Sequence, residues 1–500
     1  MTEATPQTSS PVTSRDVAKG AATTLLARLG AVMEVVAQPL YVAMFGLASF
    51  GLYAVLWAAV NLAENVADLG MTSSMQRVVP QAKSRQEEVS ALRSAMLMGV
   101  GPCIVVAAAA SLAASSVAPM FNTAQSDAAF LVHAIAVFAW SLPLWAFVEI
   151  ATSALRSKRV FGAEIRLRLF WEQLLRLIIT SAFWFAGFST MALFYAPLVS
   201  LSIICLLCIR LLARYFDLAL FFKGRLVDRI FHETWKAGLA VLPANIVGRL
   251  FGDGPSLALN WLLPGSAGAI SGGLYAIARK ISSIVQVVRI AFAYVLAPLA
   301  SAASQNHVDE VRAIYGFATR VSFAIAVPLG LVLAAAGVPI LNLFGSAAAM
   351  ALPAVIILVI ARVVETVLGA AVPIQQVTSS YWQQQLASIV GLGVAFLIGL
   401  MLMPGWGLTG MAIAVAVGFV IAAALPMAQL YWHDGLNPFF APFGRVLALT
   451  TLFGVGGLAL TLASHGLPEW LQLPVAVGLM LGSLWLSCRF ALSHDDRLSM

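Results

Sequence analysis

The sequence predicts an all-α polytopic membrane protein of about fourteen transmembrane helices, arranged as two six-helix lobes plus two extra C-terminal helices. Three observations carry that reading. Of 500 residues, 61% are hydrophobic and 10% charged, against about 25% charged in soluble domains, and mean hydropathy is +0.91. The chain divides into apolar runs of about 20 residues, the length that spans a hydrocarbon core as a helix. Lys and Arg concentrate in alternate connections between those runs.

The runs place helices near 19–45, 48–72, 91–117, 127–155, 164–187, 191–216, 236–262, 269–299, 315–338, 349–373, 384–403, 408–432, 445–464 and 470–490. Residues 1–18 are polar and precede no short apolar region with a cleavage site, so they read as a flexible cytoplasmic tail and not a secretory signal. With the N-terminus inside, the cytoplasmic connections include "RVVPQAKSRQEEVSALR", "RSKRVFGAEIRLR" and "RYFDLALFFKGRLVDRIFHETWK". The opposite connections are "GLAS", "APMFNTAQSD", "AGFST", "LPGSAGA", "NLFGSAA", "MPGWG" and "HGLPEW", and none contains Lys or Arg. Both termini are then cytoplasmic. The net charge of +7 reads as a topology signal facing anionic lipid and not as a nucleic-acid footprint.

A weak internal repeat sets the domain plan. "FGLYAV" at 50–55 opens the second helix and "GGLYAI" at 272–277 opens the eighth. Each preceding helix has a mid-span arginine, Arg28 and Arg249, and each following stretch ends near a proline, Pro80 and Pro298. An even number of helices separates the copies, so both run the same way, as in parallel repeats around an axis along the membrane normal. The expected divisions are 19–216 for the N-lobe, 217–235 for a basic linker, 236–432 for the C-lobe and 433–500 for helices thirteen, fourteen and the tail.

Polar residues inside the spans mark the candidate site. An ionisable group there costs roughly 2.5–3.5 kcal/mol even on the lenient insertion scale. Helix one nevertheless carries Arg28, Glu34 and Gln38. Arg28 and Glu34 point about 120° apart, so each needs another helix or water. Helix two carries Asn61, Glu64, Asn65 and Asp68 on one face. Helix seven carries Asn245, Arg249 and Asp253, followed by Gly254-Pro255, where a break is expected. Helix eight carries Arg279, Ser282, Ser283, Gln286 and Arg289, with Lys280 beside them. Together these helices are expected to line a hydrated cavity, acidic in the first lobe and basic in the second. Arg362–Glu365 on helix ten divides evenly between structural pairing and cavity lining. Arg168, Glu172 and Arg176 on helix five read as structural ion pairs.

Several chemistries are missing from the sequence. There is no G-x-x-x-x-G-K-[ST] phosphate loop, no H-E-x-x-H and no Cys/His array. Cys205-Leu-Leu-Cys208 lacks a second pair and reads as helix packing. The short, nearly uncharged outer connections disfavour an enzyme, and no catalytic residue, metal or cofactor is assigned.

The stretch 45–81, with Phe50-Gly51, Tyr53, Leu69-Gly70-Met71 and Arg77, resembles the opening of bacterial polysaccharide (O-antigen, Wzx-type) flippases. "GWGLTGMAIA" at 405–414 resembles the start of helix twelve in the same family. The resemblance implies the multidrug/oligosaccharidyl-lipid/polysaccharide exporter superfamily, a V-shaped pair of lobes and alternating access. It also implies a bacterial cytoplasmic-membrane location and a cargo of oligosaccharide linked to undecaprenyl pyrophosphate. Polysaccharide polymerase and glycosyltransferases are the partners it suggests. On this view Arg28, Arg249, Arg279, Lys280, Arg289 and Arg362 receive the headgroup. Glu34, Glu64, Asp68, Asp253 and Glu365 serve as counter-charges or H⁺/Na⁺ coupling sites. A multidrug or cation antiporter of the same fold, or a lipid II flippase, is the alternative.

The charge alternation makes a direct prediction. Reporter fusions at Ala48, Ala267 and Gly345 should report the periplasm, and fusions at Arg159, Arg225 and His307 the cytoplasm. A cytoplasmic signal at Gly345 contradicts the fourteen-span reading.

Overall fold

Hydrocarbon offers a backbone no hydrogen-bond partner, so a spanning segment satisfies its own N–H and C=O groups along a helix. In the computed structural model every regular element among the described residues is helical. The structure describes residues 37–498 except 159, 161, 163–164, 224–225, 304–307, 379–380 and 441–442. Arg28, Glu34 and the expected tail therefore lie outside the described residues.

The helices are α1 (Leu47–Ala67), α2 (Met71–Val78), α3 (Arg85–Leu112), α4 (Gln125–Ser157), α5 (Glu172–Phe185, entered through a π-helical turn at Ile165–Trp171) and α6 (Ala192–Tyr215). They continue as α7 (Arg229–Leu262), α8 (Ser266–Ala303), α9 (Val308–Ala335), α10 (Leu352–Leu368), α11 (Tyr381–Asp434), α12 (Phe443–Ala463), α13 (Glu469–Leu486) and the short α14 (His494–Leu498). Nine segments among the described residues are long and apolar enough to cross a membrane, against the fourteen expected. The expected fifth, seventh and eighth spans are helical but fall outside the nine. They hold Arg168, Glu172 and Arg176, then Arg249 and Asp253, then Arg279, Lys280 and Arg289, and these charges lower their hydropathy. One of the nine, Gln385–Asp434, is 50 residues long. It takes in the expected eleventh and twelfth helices, which reverse at Gly407, where φ is +49°.

By contacts the chain divides into two units. The first is built on Ala63–Ala114 and His133–Leu242, the second on Tyr41–Leu62, Ser115–Val132 and Pro243 onward.

In the first unit Met71, Met75, Leu92, Ile150, Leu155 and Cys208 form a buried core. Cys205 and Cys208 are both buried there and are free thiols. The three basic connections are tied to each other. Ser90 Oγ donates to Asp228 at 2.5 Å, Arg229 lies 3.0 Å from Glu87, and Lys158 pairs with Glu88. The expected second helix, 48–72, ends earlier, at Ala67. Leu69 and Gly70 take left-handed conformations, with φ of +53° and +75°, and α2 restarts at Met71. A Cβ on Gly70 would overlap the Gly238 carbonyl oxygen of α7, so the Leu-Gly-Met motif is a turn clasped against a neighbouring helix.

The expected trio on helix five is half realised. Arg176 Nε donates to Glu172 at 2.8 Å. Arg168 instead pairs with Glu149 of α4 and lies over the Trp145 ring, 5.0 Å from its centroid. It sits in the π-helical turn, whose i→i+5 bonding rotates it off the face that an α-helical count assigns.

In the second unit the two copies of the internal repeat meet. A Cβ on Gly273 would stand 2.6 Å from the Cα of Gly51, and one on Gly272 would stand 2.5 Å from Val55. The repeat's glycines thus allow α1 and α8 to cross backbone to backbone, with Tyr53 and Tyr275 buried on either side. Three of the connections without Lys or Arg gather nearby. Ser49 donates to Asp127 at 2.8 Å. Asn122 and Asn260 each donate a side-chain amide to the other's backbone carbonyl at 2.7 Å, and Gly265 N donates to Asn122 at 3.1 Å. Gly391 on one arm of the α11 reversal approaches Gly418 and Ala422 on the other, as Gly410 approaches Leu402. Gly454 and Gly457 let α12 approach Leu331 and Val332 of α9. The C-terminal α14 is fixed to α9 by Arg320, which donates two hydrogen bonds to Asp496 at 3.1 and 2.7 Å. Burial raises the Asp496 carboxyl, but the Arg320 and Ser493 hydrogen bonds outweigh it and hold the group below its ordinary value.

Helix α7 is not broken at Gly252–Pro255 as expected; it runs unbroken from Arg229 to Leu262 through Pro243 and Pro255. Each proline removes one intrahelical hydrogen bond, and packed membrane helices absorb such losses.

The crossing at Gly70 is testable by melting temperature in detergent. Gly70→Ala places an L-residue in the left-handed region, costing about 1–2 kcal/mol before any overlap with Gly238. It should lower the melting temperature clearly. Gly456→Ala on α12, whose Cβ would meet nothing within 4 Å, should hold or raise it.

Candidate functional site

The second unit contains a cavity of about 450 Å³ lined by α7, α8, α10 and the two arms of α11. Each helix contributes through its period. Gly248, Arg249, Gly252 and Asp253 make one face of α7. Arg279, Lys280, Ser283, Gln286 and Arg289 make one face of α8. Arg362, Glu365 and Gly369 come from the end of α10 and the turn after it, and Ser388, Phe419, Ala422 and Ala423 from α11. Ser282, expected in the stripe, is buried and donates back to the Arg279 carbonyl at 2.9 Å.

Two carboxylates each bridge two arginines. Asp253, almost wholly buried, lies 2.8 Å from Arg279 and 3.8 Å from Arg249. Glu365 lies 2.5 Å from Arg362 and 3.5 Å from Arg289. Among the described lining residues five cations face two carboxylates, a formal positive excess of three. Among the described residues Arg362 Nε and Arg289 Nε have no hydrogen-bond partner, the latter facing Glu365 only as an ion pair at 3.5 Å, and Asp253 Oδ2 accepts no hydrogen bond. Arg362 also lies over the Phe419 ring, 3.8 Å from its centroid, and Phe419 stacks on Phe251 at 5.1 Å. Two glycines make room for the cations. A Cβ on Gly252 would stand 2.9 Å from Arg279 Nη1, and one on Gly369 would stand 2.9 Å from Arg289 Cδ. Arginine forks held this way can accept a planar or tetrahedral oxyanion through paired N–H donors.

All five described members of the expected cationic set, Arg249, Arg279, Lys280, Arg289 and Arg362, line this one cavity, as do Asp253 and Glu365. Glu64 and Asp68 do not; they are buried in the first unit. Asp68 Oδ2 accepts from Thr72 N at 3.1 Å, capping α2. Sequence reading missed Phe251, Phe419 and Ser388. A phenylalanine in an apolar helix carries no signal of its own. Only the i−2 and i+2 neighbours of Phe251, the charged Arg249 and Asp253, hint that this turn of helix borders a polar space.

The model of the family described as polysaccharide biosynthesis protein matches residues 17–304, more than half of the chain. The chain belongs to that family. A comparison with curated proteins finds no match. Among solved structures, this family member is similar to a lipid II flippase, MurJ, in an inward closed conformation, with a TM-score of 0.70 and 11% identity over 93% of this chain and 98% of that one. It is also similar to an inward-facing multidrug resistance MATE transporter of the MOP superfamily, with a TM-score of 0.63 and 16% identity over 83% and 96%. A point mutant of the MATE transporter VcmN of Vibrio cholerae gives a TM-score of 0.56 and 15% identity over 84% and 99%. At such identity the likeness is one of fold: a multi-pass helical membrane protein with a transporter architecture. These relatives are transporters and flippases and not enzymes, in line with the sequence reading.

The bridged carboxylates yield a double-mutant prediction. Arg279→Ala leaves buried Asp253 with only the longer contact to Arg249, which should cost up to about 3 kcal/mol of stability. Adding Asp253→Asn removes the uncompensated charge and should recover most of that loss in thermal melting. Additive losses in the double variant contradict the bridge.

Proposed function

We propose that this protein is a flippase that carries an oligosaccharide or polysaccharide repeat unit, linked to undecaprenyl pyrophosphate, across the bacterial cytoplasmic membrane. The carrying observation is the positive excess of the α7–α8–α10–α11 cavity. A diphosphate linkage brings negative oxygens that match the arginine forks, while the short Lys/Arg-free connections offer no room for chemistry on the sugar. Family membership and the transporter fold supply the context. Transport proceeds by alternating access, with the termini and the basic connections on the cytoplasmic side. Arg28, which the sequence assigns to the first expected span, is a further candidate for the headgroup. The polymerase and the glycosyltransferases that make the cargo are the expected partners.

The two MATE likenesses keep a multidrug or cation antiporter in view. The cavity speaks against an organic cation as cargo, because each of its carboxylates is already engaged by two arginines. A lipid II flippase shares the headgroup chemistry and differs in the sugar.

Transport without a nucleotide site runs on an ion gradient or on the cargo gradient. Glu34, Glu64 and Asp68 are the H⁺ or Na⁺ candidates of the first lobe, and Asp253 and Glu365 act as counter-charges. Flux of a fluorescent lipid-linked oligosaccharide in proteoliposomes tests the reading. Wild type should transport it. Arg249→Ala combined with Arg289→Ala should cut the rate at least about tenfold with normal insertion, the loss expected when charge-assisted contacts to an anion go. Lysine at both positions should rescue in part. Unchanged flux in the double alanine variant refutes the headgroup role. Resistance to cationic drugs conferred on cells, with no lipid-linked flux, supports the antiporter instead. An imposed pH or Na⁺ gradient added to the same assay separates a coupled carrier from one driven by cargo alone.

A further inference from the structure

The basic connections of the first unit enclose a charged recess of about 530 Å³ that shares no lining residue with the cationic cavity. It lies where three apolar spans end together. Arg85, Glu88 and Val89 come from the start of α3, and Lys158 follows the last residue of α4. Residues 213–218 come from the end of α6 and the turn after it.

Every described acid on the three connections is already engaged. Glu87 accepts from Lys83 N at 2.7 Å and lies 3.0 Å from Arg229, which also reaches Glu233 at 3.4 Å. Glu88 pairs with Lys158. Asp217 accepts from Ala219 N at 3.0 Å, and Asp228 accepts from Ser90 at 2.5 Å and Phe231 N at 2.8 Å. Arg85 and Arg214 have no ion-pair or side-chain hydrogen-bond partner among the described residues, and both line the recess. Their donors are left for something from outside the chain.

Apolar side chains border the same recess. In a short helix, Leu218–Lys223, Leu218, Leu220 and Phe221 pack on the first-unit core, and Arg93 donates to the Phe221 carbonyl at 3.4 Å. Phe222, the next residue, is 86% exposed, and Tyr215, Leu226 and Val227 are exposed as well. On α6 the exposed Leu206 and Ile209 share a face with Ala213 of the recess, at steps of three and four residues. A soluble anion would use the arginines and leave this apolar border without a role. A membrane lipid uses both, with its phosphate among the cations and aromatic rings at headgroup level.

We propose that the recess binds the headgroup phosphate of an anionic glycerophospholipid from the leaflet that the basic connections face, with acyl chains along the Leu206–Ile209 face of α6. Arg85 and Arg214 hold the phosphodiester oxygens through paired N–H donors. Lys158, paired with Glu88 and lying 5.5 Å from the centre of the Phe216 ring, forms part of the wall. The lipid is a resident of the first unit and not the cargo, so the site stands whatever the carrier transports.

Native mass spectrometry of the delipidated full-length protein tests this, with dioleoyl phosphatidylglycerol, dioleoyl phosphatidylcholine and glycerol phosphate as probes. Wild type should bind its first phosphatidylglycerol about tenfold more tightly than phosphatidylcholine. Glycerol phosphate, which lacks the chains, should bind at least about a hundredfold more weakly than phosphatidylglycerol. Arg85→Gln with Arg214→Gln should bring the two lipids within about twofold of each other, because both charge-assisted contacts are gone. Arg85→Lys with Arg214→Lys keeps the charge and should retain a preference of about threefold, which reads the site even if the glutamine pair folds poorly. Arg249→Ala with Arg289→Ala strips the cationic cavity, which shares no partner with the recess, and should leave the preference within about twofold of wild type. A wild type without the preference overturns the inference. So does a preference that survives in the folded glutamine pair, or one that disappears in the cavity variant instead. Glycerol phosphate binding as tightly as phosphatidylglycerol overturns the lipid assignment and leaves a site for a soluble anion.

Discussion

The cost of holding ionised groups away from bulk water organises this protein. An arginine inside a helical bundle must be paired or wetted, and even a paired one demands good geometry before attraction offsets desolvation. Here Asp253 and Glu365 each serve two arginines. That arrangement meets the demand only partly, because sharing one carboxylate between two guanidinium groups leaves donors over. The surplus stays positive and faces a cavity. Fully matched pairs would build a stable but closed interior. Under-matched pairs leave donors over, and on the proposed reading those donors receive an anion.

Much of the rest accommodates that cavity. Gly252 and Gly369 clear the paths of Arg279 and Arg289. Phe419, backed by the stacked Phe251 ring, gives Arg362 a flat surface on which the charge is attracted by the ring face. The close crossing of α1 and α8 at Gly51 and Gly273 positions the start of the basic face of α8. Ser388 lines the cavity, while its neighbour Ile389, about 100° around the helix, faces an apolar surface.

The polar positions on each helix were legible in the sequence, because a 3.6-residue period places Arg279, Ser283, Gln286 and Arg289 on one face whatever the fold. The Arg362–Glu365 pair followed from an i+3 spacing. Arg249 and Asp253, four apart, were also grouped correctly, but nothing local showed that Asp253 would bind Arg279 of another helix more closely. Three features were not legible. The α7 break expected at Gly252–Pro255 did not form, since tertiary packing overrides the local weakness of Gly and Pro. Arg168 changed partner because a π-helical turn altered the period on which the reading relied. Helix two stopped early because Leu69 and Gly70 turn left-handed to meet Gly238, a contact more than 160 residues away in sequence. Sequence periodicity reports faces of single helices; close backbone approaches between helices are set by partners that it does not name.

The central claim is that the second unit holds an anion site, and locating an anion in it is the most direct test. Crystals of the protein soaked with tungstate, an anomalously scattering tetrahedral oxyanion, should show a peak within hydrogen-bonding reach of the Arg279, Lys280 and Arg289 side chains. That peak should disappear in the Arg249→Ala, Arg289→Ala double variant. A cavity that excludes tungstate and instead holds rubidium beside Asp253 or Glu365 contradicts the account, because the carboxylates would then be the ligands and the arginines their gate.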